Sequence, residues 1–226
     1  MTYSPDEREG VPWAMQLVVR VERDPAPDHL AVLRSAASAV ALALDAFTGP
    51  EADDDVRERT EEWRSGPIRK VVRRARGAGW TRQLAVPGVV VHAGEVDVAV
   101  HVPGRVDEVD PEVARLQVGG LTLETAEQTA EEPAGDAPVA VVLNPHVAMT
   151  TGKAAAQVGH AAQLVLQDLP AEAAAAWLGD GAPVVVRTAA EDEWDRLLAT
   201  APVVVADGGF TEVEPGTVTV VATHGW

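Results

Sequence analysis

The sequence predicts an α/β fold in which one order of strands and helices occurs twice. Valine-rich runs of strand length alternate with longer alanine- and leucine-rich runs of helical length. The second half repeats the order of the first, with similar short stretches at residues 87–94 and 202–208. We therefore expect an internal duplication of two α/β units, 1–123 and 137–226, with an interdomain linker at 124–136.

The first half is predicted to contain a buried strand, a buried helix, a charged helix, an arginine-rich helix and two strands. Pro67 suits the first turn of the arginine-rich helix, and Gly77 and Gly79 end it. The expected ranges are 13–23 for the first strand, 29–47 for the buried helix, 68–76 for the arginine-rich helix, and 88–92 and 96–102 for the paired strands.

In the second half, a long alanine-rich helix follows the first strand. Thr150, Thr151 and Gly152 stand where a helix begins, and Asp168 and Pro170 mark its end. The other expected elements are a strand at 139–143, a helix at 171–178, a strand at 183–187, an amphipathic helix at 191–200, and strands at 203–206 and 217–222.

The long helix has separate polar and apolar stripes. Lys153, Gln157 and His160 share one stripe, and apolar residues at three- and four-residue spacing form the other. A lysine in the first helical turn is unfavourable by roughly 0.3–1 kcal/mol unless an anion lies between it and the free N–H groups. We therefore expect an anion beside Gly152 and Lys153.

Composition excludes several classes of function. The 226 residues are 46% hydrophobic, which is enough for one large core or two small ones. The absence of cysteine excludes disulfides, thiolate metal sites and a cysteine nucleophile. No uninterrupted apolar run approaches the ~20 residues of a membrane span, so we expect a cytoplasmic protein without a membrane partner. A net charge of −17 argues against general binding of DNA or anionic lipid.

One basic cluster interrupts this acidic chain between Trp63 and Gly94, where no acidic residue occurs. Two interpretations remain open: a solvated helix face that balances the preceding acidic run, or a phosphate-binding patch. The cluster consists of Arg64, Arg69, Lys70, Arg73, Arg74, Arg76 and Arg82.

Several common catalytic sites do not fit the sequence. Gly152-Lys153 is not a phosphate-binding P-loop, since Val147 replaces the first glycine and Ala154 replaces the serine or threonine. No serine lies in a nucleophile elbow, and the six histidines lack the spacing of metal ligands, so no metal site is expected.

Polar residues at strand ends and at a helix start are the remaining candidates. Asp207, Thr211 and Thr219 flank the last two strands, and sites in α/β sheets gather at such ends. With Lys153 they suit hydrolysis of an ester beside a phosphate: the carboxylate orients or deprotonates water, and the lysine stabilises the oxyanion or binds the phosphate. The alternative is that these residues have only structural roles, with Asp207 in a turn and Thr211 and Thr219 as ordinary strand residues.

Two motifs resemble the peptidyl-tRNA hydrolase 2 family, in the family's order and separation. They are Met149-x-x-Gly152-Lys153-x-Ala155-Ala156-Gln157-x-x-His160-Ala161 and Asp207-Gly208-Gly209-x-Thr211-x-x-x-Pro215-Gly216-Thr217-x-Thr219. The resemblance implies a three-layer α/β/α domain with a mixed four-stranded sheet. With the internal repeat, it suggests a duplicated domain that forms a pseudo-dimer.

The resemblance also implies a function: cofactor-free, metal-independent hydrolysis of the ester between peptide and tRNA. It places catalytic residues at Lys153, Asp207, Thr211 and Thr219, and substrate contacts at Gly152, Gln157 and His160. The first half would stand in for the second subunit of the family's dimer, giving a monomer, or a weak homodimer. Its basic helix would then hold the tRNA through Arg69, Lys70, Arg73, Arg74 and Arg76.

Two positions depart from the family pattern. His146 stands where the family has aspartate, and Phe210 stands where it has arginine. The alternative function is therefore a non-catalytic tRNA- or protein-binding relative, and a third is an esterase for a smaller adenosine-bearing ester.

Overall fold

The computed structural model describes residues 10–93, 96–125, 138–209 and 212–225. The first half contains β1 (Trp13–Arg20), α1 (His29–Thr48), α2 (Asp54–Ser65), β2 (Lys70–Ala75), α3 (Gly77–Gln83), β3 (Gly88–Ala93), β4 (Val96–His101), β5 (Gly104–Arg105), α4 (Pro111–Ala114) and β6 (Gln117–Val118). The second half contains β7 (Val139–Leu143), α5 (Thr151–Asp168), α6 (Ala171–Gly179), β8 (Val184–Thr188), α7 (Glu191–Thr200), β9 (Val203–Ala206) and β10 (Val218–His224).

Each half builds a mixed sheet, which confirms the predicted α/β class. The first sheet has the strand order β3-β4-β1-β2-β6, with β5 paired to β1, and the second has the order β8-β7-β10-β9. The first two strands of each half are parallel, β1 with β2 and β7 with β8. The last two strands of the second half, and β3 and β4 of the first, are antiparallel. The central strands β1 and β7 are buried on both faces, as their continuous apolar runs require.

The long helices α1 and α5 pack against each other between the two sheets. Helix α1 contacts β3 and β4 of its own sheet and β8 of the other, while α5 contacts β9 and β10 of its own sheet and β2 of the other. One continuous cluster of buried apolar side chains includes both helices and the inner faces of both sheets. The outer faces are covered separately, by Trp80 and Val113 on the first sheet and Trp194 on the second.

The arginine-rich helix predicted at 68–76 is wrong, because this segment forms β2. Val71 and Val72 favour extended backbone, and β2 pairs along β1 from Met15 to Arg20. Lys70 and Val72 therefore point to one face of the sheet and Arg73 to the other. Gly77 begins α3 rather than ending a helix.

The other predicted elements agree with the structure to within a few residues at their ends. The proposed linker at 124–136 lies almost wholly outside the described residues. Among the described helices, α1 alone is long and apolar enough to cross a membrane, and most of it is buried in the core of the protein.

The crossing of α1 and α5 depends on a glycine. A β-carbon on Gly159 would lie 3.0 Å from Val40 Cγ2 and 3.2 Å from Lys70 Cδ. We expect Gly159→Ala to lower the free energy of unfolding by about 1 kcal/mol, because overpacking costs about 1–3 kcal/mol and exceeds the helix-propensity gain of alanine. Urea unfolding measures the change.

The matched control is Gly179→Ala at the end of α6, where an added β-carbon would meet nothing within 4 Å. This variant should be as stable as the wild type or more stable. Equal stability of the two alanine variants would contradict the packing role of Gly159.

Candidate active site

The start of α5 is held by side chains rather than left open. Thr150 is the N-cap, and its hydroxyl accepts a hydrogen bond from Lys153 N at 3.2 Å. The carboxylate of Glu212 accepts from Thr150 N at 2.9 Å and from Thr150 Oγ1 at 2.8 Å. Gly152 N donates to the carbonyl of Leu121 at 3.1 Å. The N–H groups of Gly152 and Lys153, which were expected to be free, are therefore occupied.

The anion expected beside Lys153 is a carboxylate of the protein itself. Lys153 Nζ donates to Asp207 Oδ2, and both side chains are largely buried, at 12% and 4% exposure. Asp207 follows β9, so the end of a strand and the start of a helix meet at this ion pair. Gly209 N donates to Asp207 Oδ1 at 2.7 Å.

A glutamine and a threonine continue this network into the core. Gln157 Nε2 donates to Asp207 Oδ2 at 2.7 Å, and Gln157 Oε1 accepts from Thr219 Oγ1 at 2.7 Å. Gln157 lies one turn after Lys153, which brings both side chains to the same carboxylate. Thr219 is wholly buried in β10, and its hydroxyl faces Gln157 and not the solvent.

This geometry favours an electrostatic role for the pair. Asp207 accepts hydrogen bonds from Lys153 and Gln157 on Oδ2 and from Gly209 on Oδ1, so both of its carboxylate oxygens are already engaged within the protein. It therefore suits holding the lysine ammonium in place better than removing a proton. The Lys153 side chain also keeps a small exposed fraction, from which an ammonium can stabilise negative charge on a bound oxygen.

Comparison with known proteins identifies this region. Residues 138–225 match the family described as peptidyl-tRNA hydrolase PTH2. A peptidyl-tRNA hydrolase of Haloquadratum walsbyi is 34% identical over 90 residues, which are 37% of this chain and 80% of that protein. The chain belongs to the peptidyl-tRNA hydrolase PTH2 family. All residues of the Lys153 network lie within the matched segment.

Of the other residues that the family resemblance singles out, His160 and His146 lie outside the Lys153 network. Thr211 and Phe210 lie outside the described residues. His160 is two turns along α5 from Lys153 and contacts Lys70 Nζ through Nδ1 at 3.4 Å. Burial, followed by the charges of Lys70 and Lys153, holds the pKa of His160 well below its ordinary value. His146 is exposed and donates its backbone N–H to Asn144 Oδ1 at 2.9 Å.

The basic cluster does not form one open surface. Lys70 is buried, and burial lowers its pKa well below the ordinary value. The guanidinium of Arg73 donates to Gln16 Oε1 and to two backbone carbonyls in the first half. Arg74 donates to Gln117 Oε1 while remaining partly exposed, Arg69 is partly exposed, and Arg76 is exposed.

Contacts from outside the motifs complete the site, and sequence reasoning missed them. Leu121 and Leu123 run past the start of α5, where Leu123 N donates to Thr151 Oγ1 at 2.9 Å. His29, the first residue of α1, lies 2.9 Å from the same hydroxyl through Nδ1. Glu212 differs, since it lies inside the second motif, directly after Thr211, where the sequence offered a local signal. Within the described part of the chain, no three acidic or histidine side chains are close enough together to hold a metal ion.

Three histidines with lowered pKa values, His101 buried and His29 and His160 half-buried, predict a stability that depends on pH. Burial lowers the pKa of His160, His29 and His101 from 6.5. The unfolded chain therefore binds protons that the folded chain does not, and stability falls as pH drops below about 6.5, by up to ~1.4 kcal/mol per pH unit for each such group. Urea unfolding at a series of pH values measures this slope.

His160→Gln should reduce the slope, because it removes one of these proton-binding groups. His146→Gln is the control, since His146 is exposed. A His160→Gln protein with the wild-type slope would show that His160 binds protons equally in the folded and unfolded states.

Proposed function

We propose that this protein is a peptidyl-tRNA hydrolase that cleaves the ester bond between peptide and tRNA without a metal or cofactor. The observation that supports it best is the buried Lys153–Asp207 pair, fixed by Gln157 and Gly209 within the family segment. Water adds to the ester carbonyl carbon, the bond from that carbon to the ribose oxygen breaks, and the ribose oxygen takes a proton. A free peptide and a tRNA with its terminal hydroxyl result.

In this proposal Lys153 is the catalytic residue that stabilises the oxyanion of the tetrahedral intermediate. Asp207 and Gln157 position its ammonium, and Thr219 fixes the orientation of the Gln157 amide. Thr211 remains a proposed contact of the attacking water or the substrate, by resemblance to the family. Preorganised charge of this kind supplies a large part of many rate enhancements.

Replacement of the lysine tests the role. We expect Lys153→Met to lower kcat for hydrolysis of N-acetylaminoacyl-tRNA by about 100- to 1000-fold, the usual cost of losing an oxyanion donor. Arg196→Met on α7 is the control, because it removes an exposed cation of the same half outside the site. Thermal melting of each variant checks that it is folded.

Retained activity in folded Lys153→Met would contradict the role of the lysine. A wild-type protein that binds tRNA without any turnover would instead support the non-catalytic relative. Faster hydrolysis of a short adenosine ester than of the tRNA ester would support the third function.

We also propose that the two halves arose by duplication and form a pseudo-dimer, so that the protein acts as a monomer in the cytoplasm. The shared order β2-β1-β4-β3 and β8-β7-β10-β9, with α1 and α5 each reaching across to the other sheet, supports this. When the helices are aligned on their N-caps, Asp28 matches Thr150 and Ala31 matches Lys153. An apolar residue thus stands at the lysine position. This agrees with a first half that keeps the fold of the second and lacks its polar site residues.

We also propose that arginines of the first half bind the phosphates of the tRNA. Arg76 is exposed just after β2, and Arg74 is half-buried and donates to Gln117 Oε1, while Lys70 is buried and Arg73 donates to Gln16 Oε1. We expect Arg74→Gln/Arg76→Gln to weaken tRNA binding and to reduce the slope of log Kd against log salt by about 0.7–0.9 for each lost phosphate contact. Filter binding at several salt concentrations measures the slope.

Arg59→Gln is the control, because it removes a partly exposed cation of the first half that lies on α2 and not on β2. An unchanged slope in the double variant would place the tRNA elsewhere.

A further inference from the structure

Lys70 is a buried cation that the family segment does not explain. It begins β2 in the first half and extends its side chain onto α5 of the second. Its Nζ lies 2.5 Å from Gln163 Oε1, 3.4 Å from His160 Nδ1 and 4.9 Å from the centre of the Trp63 ring. Within the described part of the chain, Lys70 forms no ion pair with a carboxylate.

A lysine in such a place reduces stability. Moving an ammonium out of water costs several kcal/mol, and a glutamine oxygen and an aromatic ring offset only part of that cost. A methionine of similar length would fill the same space without the cost. Ionisable groups that are buried despite this cost are concentrated at functional sites.

The lysine reaches the polar stripe of the site through His160. Lys153, Gln157 and His160 project from the same side of α5, and His160 is only partly buried. Gly159 opens the path, because its missing β-carbon leaves room for the Lys70 stem, whose Cδ would lie 3.2 Å from such an atom. When Lys70 is protonated, its ammonium has donors and no acceptor, so the imidazole nitrogen that faces it accepts.

We propose that Lys70 is a positioning residue for the active site of the other half. It donates to His160 Nδ1 and so fixes the imidazole in the neutral form with its proton on Nε2. The partly exposed ring then offers this N–H as a hydrogen-bond donor to an acceptor oxygen of the substrate, on the stripe that carries Lys153. This use of the ring rests on the proposed function, whereas the Lys70–His160 contact does not.

Nitrogen NMR of histidine-labelled protein tests the contact directly. The wild type should show His160 as a single neutral tautomer protonated on Nε2 at and below neutral pH, with the signal assigned by loss in His160→Gln. In Lys70→Met the nearby donor and charge are gone, so the tautomers should mix and the ring should titrate closer to its ordinary pKa. A wild-type ring protonated on Nδ1, or a Lys70→Met spectrum identical to the wild type, would overturn the proposal.

Kinetics test the consequence for the site. Lys70→Met should melt at or above the wild-type temperature, because it removes a buried charge, and yet lose about tenfold in kcat/KM, the size of one substrate hydrogen bond. Arg115→Met, an exposed cation of the same half, should change neither the His160 spectrum nor the kinetics.

Wild-type kcat/KM in a Lys70→Met protein with unchanged or raised melting temperature would overturn the positioning role. If the wild-type protein hydrolyses no peptidyl-tRNA, the proposed function fails by itself. The NMR measurement then still decides whether Lys70 fixes His160, since it needs neither substrate nor turnover.

Discussion

The packing of α1 against α5 between the two sheets is the constraint on which the site depends. Small residues on α5, including Ala155, Gly159 and Ala162, allow the two helices to approach closely, and all three are buried. With α1 on one side and β9 and β10 on another, α5 has little freedom to shift. Its first turn is thereby fixed against the end of β9, where the lysine and the aspartate meet.

The Lys153–Asp207 pair is better understood as a positioned charge than as a source of stability. A buried ion pair recovers little more than the cost of removing both ions from water, whereas loss of one partner leaves the other uncompensated, at about 3–5 kcal/mol. The additional donors from Gln157 and Gly209 satisfy the carboxylate and restrict its orientation. The folding energy of the α1/α5 layer thus maintains an arrangement that would not persist in a looser structure.

Local signals in the sequence predicted most elements and the centre of the site, while long-range contacts were beyond them. The alternation of apolar runs gave both sheets, and the spacing of Lys153, Gln157 and His160 gave the polar stripe. The segment at 68–76 was misassigned because its arginines obscured the β-branched Val71 and Val72, whose strand pairs with residues more than fifty positions earlier. Leu121 at the start of α5 and Lys70 against His160 could not be predicted, since neither contact leaves any trace near the motif.

The two halves differ in how much polar surface they bury, and this difference separates their roles. The polar network of the second half places an ammonium, a carboxylate, an amide and a hydroxyl in a largely dry region, and each must find a partner there. Ala31 lies at the matching position of α1, between the buried Leu30 and Val32. The start of α1 therefore packs through apolar side chains that need no hydrogen-bond partners. Because the central layer is shared, the apolar half supports the polar one, and Lys70 is the point at which a charged group of the supporting half reaches the helix that carries the site.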